Sequence, residues 1–295
     1  QDDVLFGTGM RAGASLREFS KPTIALMIEG DFRPMLASSY LFALDRNTGK
    51  VRWTHEKGVL MNNGISLGDG RIYFVQSESP KALEDDDGRL RVDWFCASDT
   101  ALVALDAKTG KKLWQTPFQF PFEQIMYLNN AHGVLLATGT DNVGDKVQYD
   151  LYGFDAATGA PKWHSSCQNG DPTGGSHGEQ WQHPVIIGNR IFSDPFEFDL
   201  QTGEQKAYVL DRGGNGCGGL TASLHYLYGR GSNPRMYPIN VEKTFGEPLT
   251  RVNRPGCWLN IIPAGGIIVL PESSSGCTCG YPIQTSFGFI PEAAL

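Results

Sequence analysis

The chain has 295 residues, a formal net charge of −7 and a sequence pI of about 5.4. This acidic balance offers no basic surface for nucleic acid or acidic lipid headgroups. The 36 glycines and 17 prolines indicate a protein with many turns, and the length suffices for one large core. No run of about 18 apolar residues occurs, so the sequence predicts no span of a membrane.

The N-terminal region, residues 1–36, contains no recognisable motif. The chain begins at Gln1 and shows no signal-peptide pattern, which predicts either a processed mature chain or an excerpt of a longer protein. Val4–Phe6 and Thr23–Ile28 are short apolar runs with the composition of strands. We therefore expect two strands before the first motif.

A strand, a tight turn and a second strand are predicted for Ala43–Trp53. Asn47–Gly49 has turn chemistry, because glycine adopts positive φ easily and the Asp45 carboxylate can accept hydrogen bonds from backbone N–H groups of the turn. Trp53 then returns on the second strand as a large packing group. The same pattern recurs at Ala104–Trp114, at Gly153–Trp163 and, with Ala207 in the tryptophan position, at Phe198–Tyr208.

The spacing of the copies indicates a repeat architecture. The motif aspartates Asp45, Asp106, Asp155 and Asp199 are separated by 61, 49 and 44 residues. Propeller repeats run to roughly 40–50 residues, one four-stranded blade each. The tryptophans in the motif are Trp53, Trp114 and Trp163, and we expect them to be largely buried and to join neighbouring blades.

The pattern Ala-x-Asp-x-x-Thr-Gly-Lys-x-x-Trp resembles the tryptophan-docking motif of PQQ-like, or quinoprotein-like, β-propellers. The resemblance implies an all-β fold, a β-propeller of about six to seven four-stranded antiparallel blades, in a single domain spanning residues 1–295. In closed propellers an N-terminal strand often completes the last blade, and we expect this of Val4–Phe6. The motif is a packing device in a superfamily of both dehydrogenases and non-catalytic binding propellers, so it does not indicate an activity.

Two acidic segments follow the first motif. Asp85 and Asp87 lie in a long insertion of the second blade, and Asp141 and Asp145 flank a turn of the third. Carboxylate oxygens can bind calcium, but neither segment has the alternate spacing of a calcium loop. Solvated loops are therefore favoured, and the sequence predicts no metal site.

Cys167–His183 is a polar, glycine-rich loop in which function is expected. His177 and His183 with Glu179 could be metal ligands. One histidine could instead act as a general base, or Trp181 could stack on a sugar or dock a peptide. The structural alternative is that the loop packs over the central channel.

A second glycine-rich segment, Gly213–Arg230, ends in a predicted strand. We expect it to meet the Cys167–His183 loop at one end of the channel, because both break the repeat before an innermost strand. A lyase acting on acidic sugars needs a set of His, Tyr and Arg side chains. The candidate catalytic residues are His177, His183, Tyr226 and Arg230, and the candidate ligand-binding residues are Glu179, Trp181 and Tyr228.

The chain has six cysteines but no Cys-x-x-Cys pair and no haem-attachment signature. Disulfides in an oxidising compartment are therefore favoured over a metal or a haem, which predicts a secreted or periplasmic protein. The candidates for disulfides are Cys217, Cys257, Cys277 and Cys279, with connectivity open.

The last third of the chain resembles the end of large secreted bacterial PQQ-like repeat proteins of unassigned activity. Quinoprotein dehydrogenases place a disulfide of two adjacent cysteines against the quinone, whereas Thr278 separates Cys277 from Cys279 here. The calcium-ligating Glu and Asn and the catalytic Asp of those enzymes are not recognisable either. PQQ and calcium are therefore possible cofactors that the sequence does not support.

These observations favour a non-catalytic binding or scaffold module within a larger protein or assembly. A protein or a polysaccharide is the expected partner, and nucleic acid is not. The alternative is a propeller-type enzyme, either a polysaccharide lyase that uses His, Tyr and Arg or a quinoprotein-like dehydrogenase.

Overall fold

The computed structural model describes residues 3–11, 35–85, 88–169, 183–212, 219–230, 233–253, 255, 261–271 and 285–290. The chain divides into two compact units. The first unit comprises Gln1–Glu179 with Gln201–Gly203, and the second comprises Gln180–Leu200 with Glu204–Leu295. The single domain expected from the repeat stays a prediction, and each unit is described by itself.

Strands predominate in the first unit. Its elements in chain order are β1 (Val4–Met10), β2 (Met35–Asp45), β3 (Val51–His55), β4 (Val59–Gly68), β5 (Arg71–Ser77), α1 (Pro80–Glu84), β6 (Arg89–Leu90), α2 (Val92–Phe95), β7 (Thr100–Asp106), β8 (Lys112–Pro117), β9 (Ile125–Ala131), β10 (Val134–Val143), β11 (Lys146–Asp155) and β12 (Pro161–Asn169).

Three blades are formed by these strands. Strands β1, β2 and β3 pair antiparallel as the first blade, β4, β5, β7 and β8 as the second, and β9 to β12 as the third. A short pairing of Ala37 with Met61 joins β2 to β4, so the first two blades share one eight-stranded sheet. Several hairpins turn on two residues with positive φ, as at Asp69 and Gly70, which is the geometry that a tight hairpin requires.

The position of β1 differs from the expectation. Val4 pairs with Asp45 and Phe6 with Ala43, so β1 extends the first blade along β2 instead of completing a last blade. A short apolar strand is equally suited to either edge, and its partner is decided by tertiary pairing that the local sequence does not encode. The second expected strand, Thr23–Ile28, lies outside the described residues.

The first three copies of the motif have the same turn. Oδ1 of Asp45 accepts hydrogen bonds from the backbone N–H of Asn47 at 3.1 Å and from the N–H and hydroxyl of Thr48 at 2.9 Å each. The turn glycine, Gly49, has φ of 69°. Asp106 and Asp155 repeat these three bonds at 2.8–3.1 Å.

Each motif tryptophan packs on the turn glycine of the next copy. A Cβ atom added at Gly110 would lie 2.6 Å from the ring of Trp53. The same holds for Gly159 against Trp114 at 2.6 Å and for Gly203 against Trp163 at 2.5 Å. Because a side chain at these positions would overlap the indole, only glycine permits the contact.

The three tryptophans differ in burial. Trp53 is 9% exposed, and its Nε1–H donates to the carbonyl of Ala107 at 3.2 Å. Trp114 and Trp163 are half-buried. Within the described part of the chain, Nε1 of Trp114 has no hydrogen-bond partner. The indole N–H of Trp53 is therefore satisfied, whereas among the described residues that of Trp114 is not.

The second unit has shorter strands. In chain order they are β13 (Val185–Ile187), β14 (Arg190–Ser193), β15 (Phe196–Asp199), β16 (Gln205–Asp211), β17 (Thr221–Ala222), β18 (Tyr226–Arg230), β19 (Pro234–Pro238), β20 (Lys243–Phe245), β21 (Glu247–Pro248), β22 (Ile262–Ala264), β23 (Ile267–Leu270) and β24 (Phe287–Phe289).

Three sheets make up this unit. Strands β13 to β16 pair antiparallel, with β20 added parallel to β16. Strands β17, β18, β19 and β21 form a second sheet, and β22, β23 and β24 form a third. The described part of the chain thus contains six blade-like groups of strands, in line with the six to seven expected from the repeat.

A buried ion pair lies inside the second unit. Nη1 of Arg212 donates to the carboxylate of Asp194 at 3.1 Å, and both side chains are almost fully buried. Arg212 also donates to the carbonyl of Arg230 at 3.1 Å, and Tyr237 donates to the carbonyl of Arg212 at 3.3 Å. Polar groups therefore join β16, β18 and β19.

Candidate functional site

Part of the predicted site lies outside the described residues. This group comprises His177, Glu179, Trp181, the acidic residue Asp87 and the four candidate disulfide cysteines Cys217, Cys257, Cys277 and Cys279. Their proposed roles stay predictions. The two described cysteines, Cys96 and Cys167, are free, and burial raises the pKa of the Cys167 thiol to about 12.

The described candidates lie on or beside strands of the second unit. Tyr226, Tyr228 and Arg230 alternate along β18, which places them on one face of that strand. The rings of Tyr226 and Tyr228 are 6.5 Å apart. Arg230 is fully buried, which favours a structural role for it over contact with a substrate. His183 is exposed two residues before β13, and its pairing with these residues stays a prediction.

Tyr228 lines a cavity with a volume of about 610 Å³. The β17–β18 hairpin forms one wall, with Ser223 and Leu224 at its turn. The β22–β23 hairpin, which turns at Gly265–Gly266 with φ of 59° and 79°, also lines the cavity. This cavity, called the β18 cavity below, has the size of ordinary ligand pockets, about 300–1,000 Å³.

The lining of the β18 cavity carries no charged side chain among the described residues. Its polar side-chain groups are the hydroxyls of Ser223 and Tyr228, which lie 3.3 Å apart in a hydrogen bond. Three large apolar residues at the cavity are exposed, with Leu224 at 76%, Ile290 at 49% and Ile267 at 39%. The cavity therefore suits an uncharged, apolar ligand.

Sequence reasoning identified Tyr228 but missed the rest of this cavity. Leu224, Ile267 and Ile290 are far apart in the chain and belong to no shared motif. One signal of the cavity is present in the sequence. Leu224 occupies a hairpin turn, where residues are usually polar or glycine.

Three of the weak metal candidates, Asp85, Asp141 and Asp145, lie among the described residues. Among the described residues, no group of three or more His, Cys, Asp or Glu side chains could hold a metal ion. Asp141 lies beside Glu123, whose pKa is raised mainly by burial and further by the negative charge of Asp141. Asp85 instead lines a second cavity, in the insertion between β5 and β7.

Comparison with known proteins identifies the repeat. Residues 37–183, about half of the chain, match the family model PQQ_2, described as "Outer membrane protein assembly factor BamB". The chain belongs to the PQQ-like β-propeller repeat family. The matched residues contain the first three copies of the tryptophan-docking motif and two of the three tryptophan–glycine contacts, since Gly203 lies beyond residue 183.

Curated relatives in the PQQ-like family have different activities. The chain is 30% identical over 167 residues to "Outer membrane protein assembly factor BamB" of Burkholderia pseudomallei, covering 56% of this chain and 38% of the relative. It is 26% identical over 171 residues to "Quinohemoprotein alcohol dehydrogenase" of Comamonas testosteroni, covering 50% of this chain and 20% of that enzyme. The chain thus spans well under half the length of either relative.

A solved structure supports the PQQ-like fold. The crystal structure of BamB from Moraxella catarrhalis matches 82% of this chain and 63% of its own, with a TM-score of 0.51 and 14% identity. At this identity the likeness concerns the fold alone. No helix in the described part of the chain has the length and hydropathy needed to cross a membrane.

The β18 cavity does not fit the cofactors of quinoprotein enzymes. PQQ carries three carboxylates, and calcium requires several oxygen ligands, commonly carboxylates. The described lining offers neither a cationic side chain for the first nor a carboxylate for the second. Binding an anion or a bare cation there would leave charge uncompensated in an apolar site.

Proposed function

We propose that this protein is a non-catalytic binding module that holds a partner protein within a larger assembly. The β18 cavity carries the proposal, because it is large, uncharged and bordered by exposed apolar side chains. A surface of this kind typically marks an interaction site. The relative from Burkholderia pseudomallei is named as an assembly factor, which supports a protein partner.

The expected ligand is an extended, uncharged segment of the partner polypeptide. Phe289 and Ile290, at the end of β24, line the cavity, and in the described part of the chain β24 pairs only with β23. An open strand edge offers backbone N–H and C=O groups, and an extended peptide can pair with them. Tyr228 would then contact an apolar side chain of the peptide and offer its hydroxyl group. We further propose a periplasmic or secreted location for this role.

The proposal can be tested with a synthetic peptide. A fluorescein-labelled heptapeptide of alternating threonine and valine would be titrated with the protein and followed by fluorescence anisotropy. Leu224→Lys and Ile267→Lys should each weaken binding about tenfold or more, because an ammonium group would face the apolar peptide without a partner.

A matched control is available in the other unit. Leu113 on β8 is 44% exposed, so Leu113→Lys introduces the same charge away from the cavity and should leave the affinity unchanged. Equal weakening by all three substitutions, or equal binding of a peptide with aspartate in place of valine, would contradict the proposal. Unchanged thermal unfolding of each variant would show that the protein remains folded.

The enzyme alternatives have less support in the described residues. A lyase would need His177 beside Tyr226 and Arg230, and a dehydrogenase would need a cofactor slot that the β18 cavity does not supply. Production of unsaturated sugar from a polyuronate by the purified protein would favour the lyase instead.

A further inference from the structure

A second cavity lies in the insertion that separates β5 from β7 in the first unit. It has a volume of about 340 Å³ and is lined by Lys81, Glu84, Asp85 and Trp94. We call it the Trp94 pocket. The repeat does not require this insertion, since the corresponding connection between β10 and β11 is a short turn at Gly144 and Asp145.

The insertion is firmly attached to the blade. Ser77 donates a hydrogen bond to the carbonyl of Phe95 at 2.6 Å, and Ser79 donates to the carbonyl of Trp94 at 3.1 Å. The side chains of Val92 and Phe95 are fully buried in the core of the unit. The segment around Trp94 is therefore pre-organised, and a ligand would not have to bear the entropic cost of ordering it.

The orientation of the indole is supported by an ion pair. Arg91 donates two hydrogen bonds to Asp93, at 2.8 and 2.6 Å, and its guanidinium lies 5.3 Å from the centroid of the Trp94 ring. This contact is a cation–π interaction within the protein. Because Asp93 neutralises Arg91, this pair adds no net charge to the pocket.

The charges around the pocket favour a cation. The lining contains two carboxylates, Glu84 and Asp85, and one ammonium group, Lys81. In the sequence, these two residues begin a run of four acidic residues, Glu84–Asp87. An aromatic face combined with carboxylates is the chemistry that binds ammonium and guanidinium groups.

We propose that the Trp94 pocket binds a lysine or arginine side chain of a partner polypeptide. The indole supplies the face on which the cation lies, and the exposed carboxylate of Glu84 supplies the opposite charge. This site is separate from the β18 cavity and uses different residues, ligand chemistry and forces. Its occupancy does not depend on the function proposed above.

Labelled peptides of alternating glycine and arginine, or glycine and lysine, would test this pocket by fluorescence anisotropy with the whole chain. Trp94→Ala should weaken binding about threefold to tenfold, the range expected for a cation–π contact. Glu84→Lys should weaken it further and reduce its salt dependence. Raising NaCl from about 0.05 M to about 0.5 M should weaken binding by the parent protein, since exposed charges are then screened.

Two controls separate the pocket from general attraction to an acidic protein. Glu56 is an exposed residue outside the insertion, so Glu56→Lys makes the same charge change and should have little effect. Trp94→Phe keeps an aromatic face at the pocket. If Trp94→Ala weakens binding only by removing the ring, Trp94→Phe should retain most of the peptide affinity.

Three results would overturn the proposal. The first is equal peptide affinity of the parent protein and the Trp94→Ala variant, when thermal unfolding shows that both are folded. The second is equal weakening by Glu56→Lys and Glu84→Lys, which would indicate attraction by net charge alone. The third is salt-independent, Trp94-dependent binding of maltohexaose in place of the peptides, which would assign the pocket to a neutral sugar. Leu224→Lys should not affect the peptide affinity here.

Discussion

The two units of the chain are stabilised in different ways. In the first unit, three tryptophans pack on three turn glycines, and an identical turn recurs at Asp45, Asp106 and Asp155. In the second unit, strands are short, and a buried Arg212–Asp194 pair joins neighbouring strands. Repeated packing gives the first unit its regularity, whereas the second unit combines separate hydrophobic clusters with individual polar contacts.

This difference relates to function. The β18 cavity lies in the unit whose sheets have lost the motif, because hairpins without a docking tryptophan are free to diverge. The Trp94 pocket lies in the regular unit, but in an insertion that leaves the repeat itself unchanged. Both proposed binding surfaces therefore lie where the repeat ends or is interrupted, as is common for loops on a rigid scaffold.

The largest effect is expected from breaking the buried ion pair of the second unit. Arg212→Met would leave the Asp194 carboxylate buried without its cation and should lower the free energy of unfolding by about 3–5 kcal/mol. The double variant Arg212→Met with Asp194→Leu should be more stable than the single variant. Urea unfolding measures both, and a double variant less stable than the single one would show that this ion pair is not the source of the loss.

The next effect tests the docking contacts. Trp53→Ala removes a buried indole and its hydrogen bond, and should cost about 3–5 kcal/mol. Trp114→Ala should also destabilise the protein, but less, because Trp114 is half-buried. Equal unfolding midpoints for Trp114→Ala and the parent protein would contradict a docking role for Trp114.

Two glycines with the same backbone conformation isolate the ring contact. Gly49 and Gly110 have φ of 69° and 70°, but a Cβ would meet nothing within 4 Å at Gly49 and the Trp53 ring at 2.6 Å at Gly110. Gly49→Ala should cost about 1 kcal/mol of backbone strain. Gly110→Ala should cost about 1–3 kcal/mol more, because the indole must move. Similar losses of stability for the two variants, measured by thermal unfolding, would show that backbone strain alone explains both.

The smallest effect concerns the turn carboxylates. The Thr109 hydroxyl, followed by backbone N–H groups, lowers the pKa of Asp106 in the folded state. Its contribution to stability is therefore present above the unfolded pKa of about 3.9 and is lost as pH falls through the lower folded pKa.

Asp106→Asn removes this dependence while keeping an acceptor oxygen. Because the Asp106 carboxylate is partly exposed, the free energy of unfolding of the parent protein should exceed that of the variant by less than about 1 kcal/mol at pH near 6. The difference should shrink at pH near 3. A difference that grows on acidification would contradict the assignment.

The sequence predicts the regular part of this molecule well because the motif combines local and long-range information. Asp45 and Gly49 determine the turn by local chemistry, and Trp53 marks the contact with the next copy. The spacing of the aspartates then indicates blades. Where the motif is absent, only strand composition remains, and it predicted β18 but not which side chains of other hairpins meet it.

The features that the sequence did not reveal depend on contacts between distant residues. The partner of β1 is decided by the free edge of β2. The Trp94 pocket arises because Ser77 and Ser79 attach an insertion that reads as a solvated acidic loop. In the β18 cavity, Tyr228 meets residues from separate hairpins, so its binding role remains a proposal even though its position suits that role.

The direction of the tryptophan contacts has a consequence for synthesis on the ribosome. Trp53 packs on Gly110, which is translated later, and Trp163 likewise awaits Gly203. A newly made blade therefore presents an unprotected indole until the turn of the following blade has emerged. Translation proceeds at roughly 5–20 residues per second, so this exposure lasts for seconds for each blade. While these repeats are being synthesised, the most recent tryptophan therefore remains exposed to other apolar surfaces until the next repeat covers it.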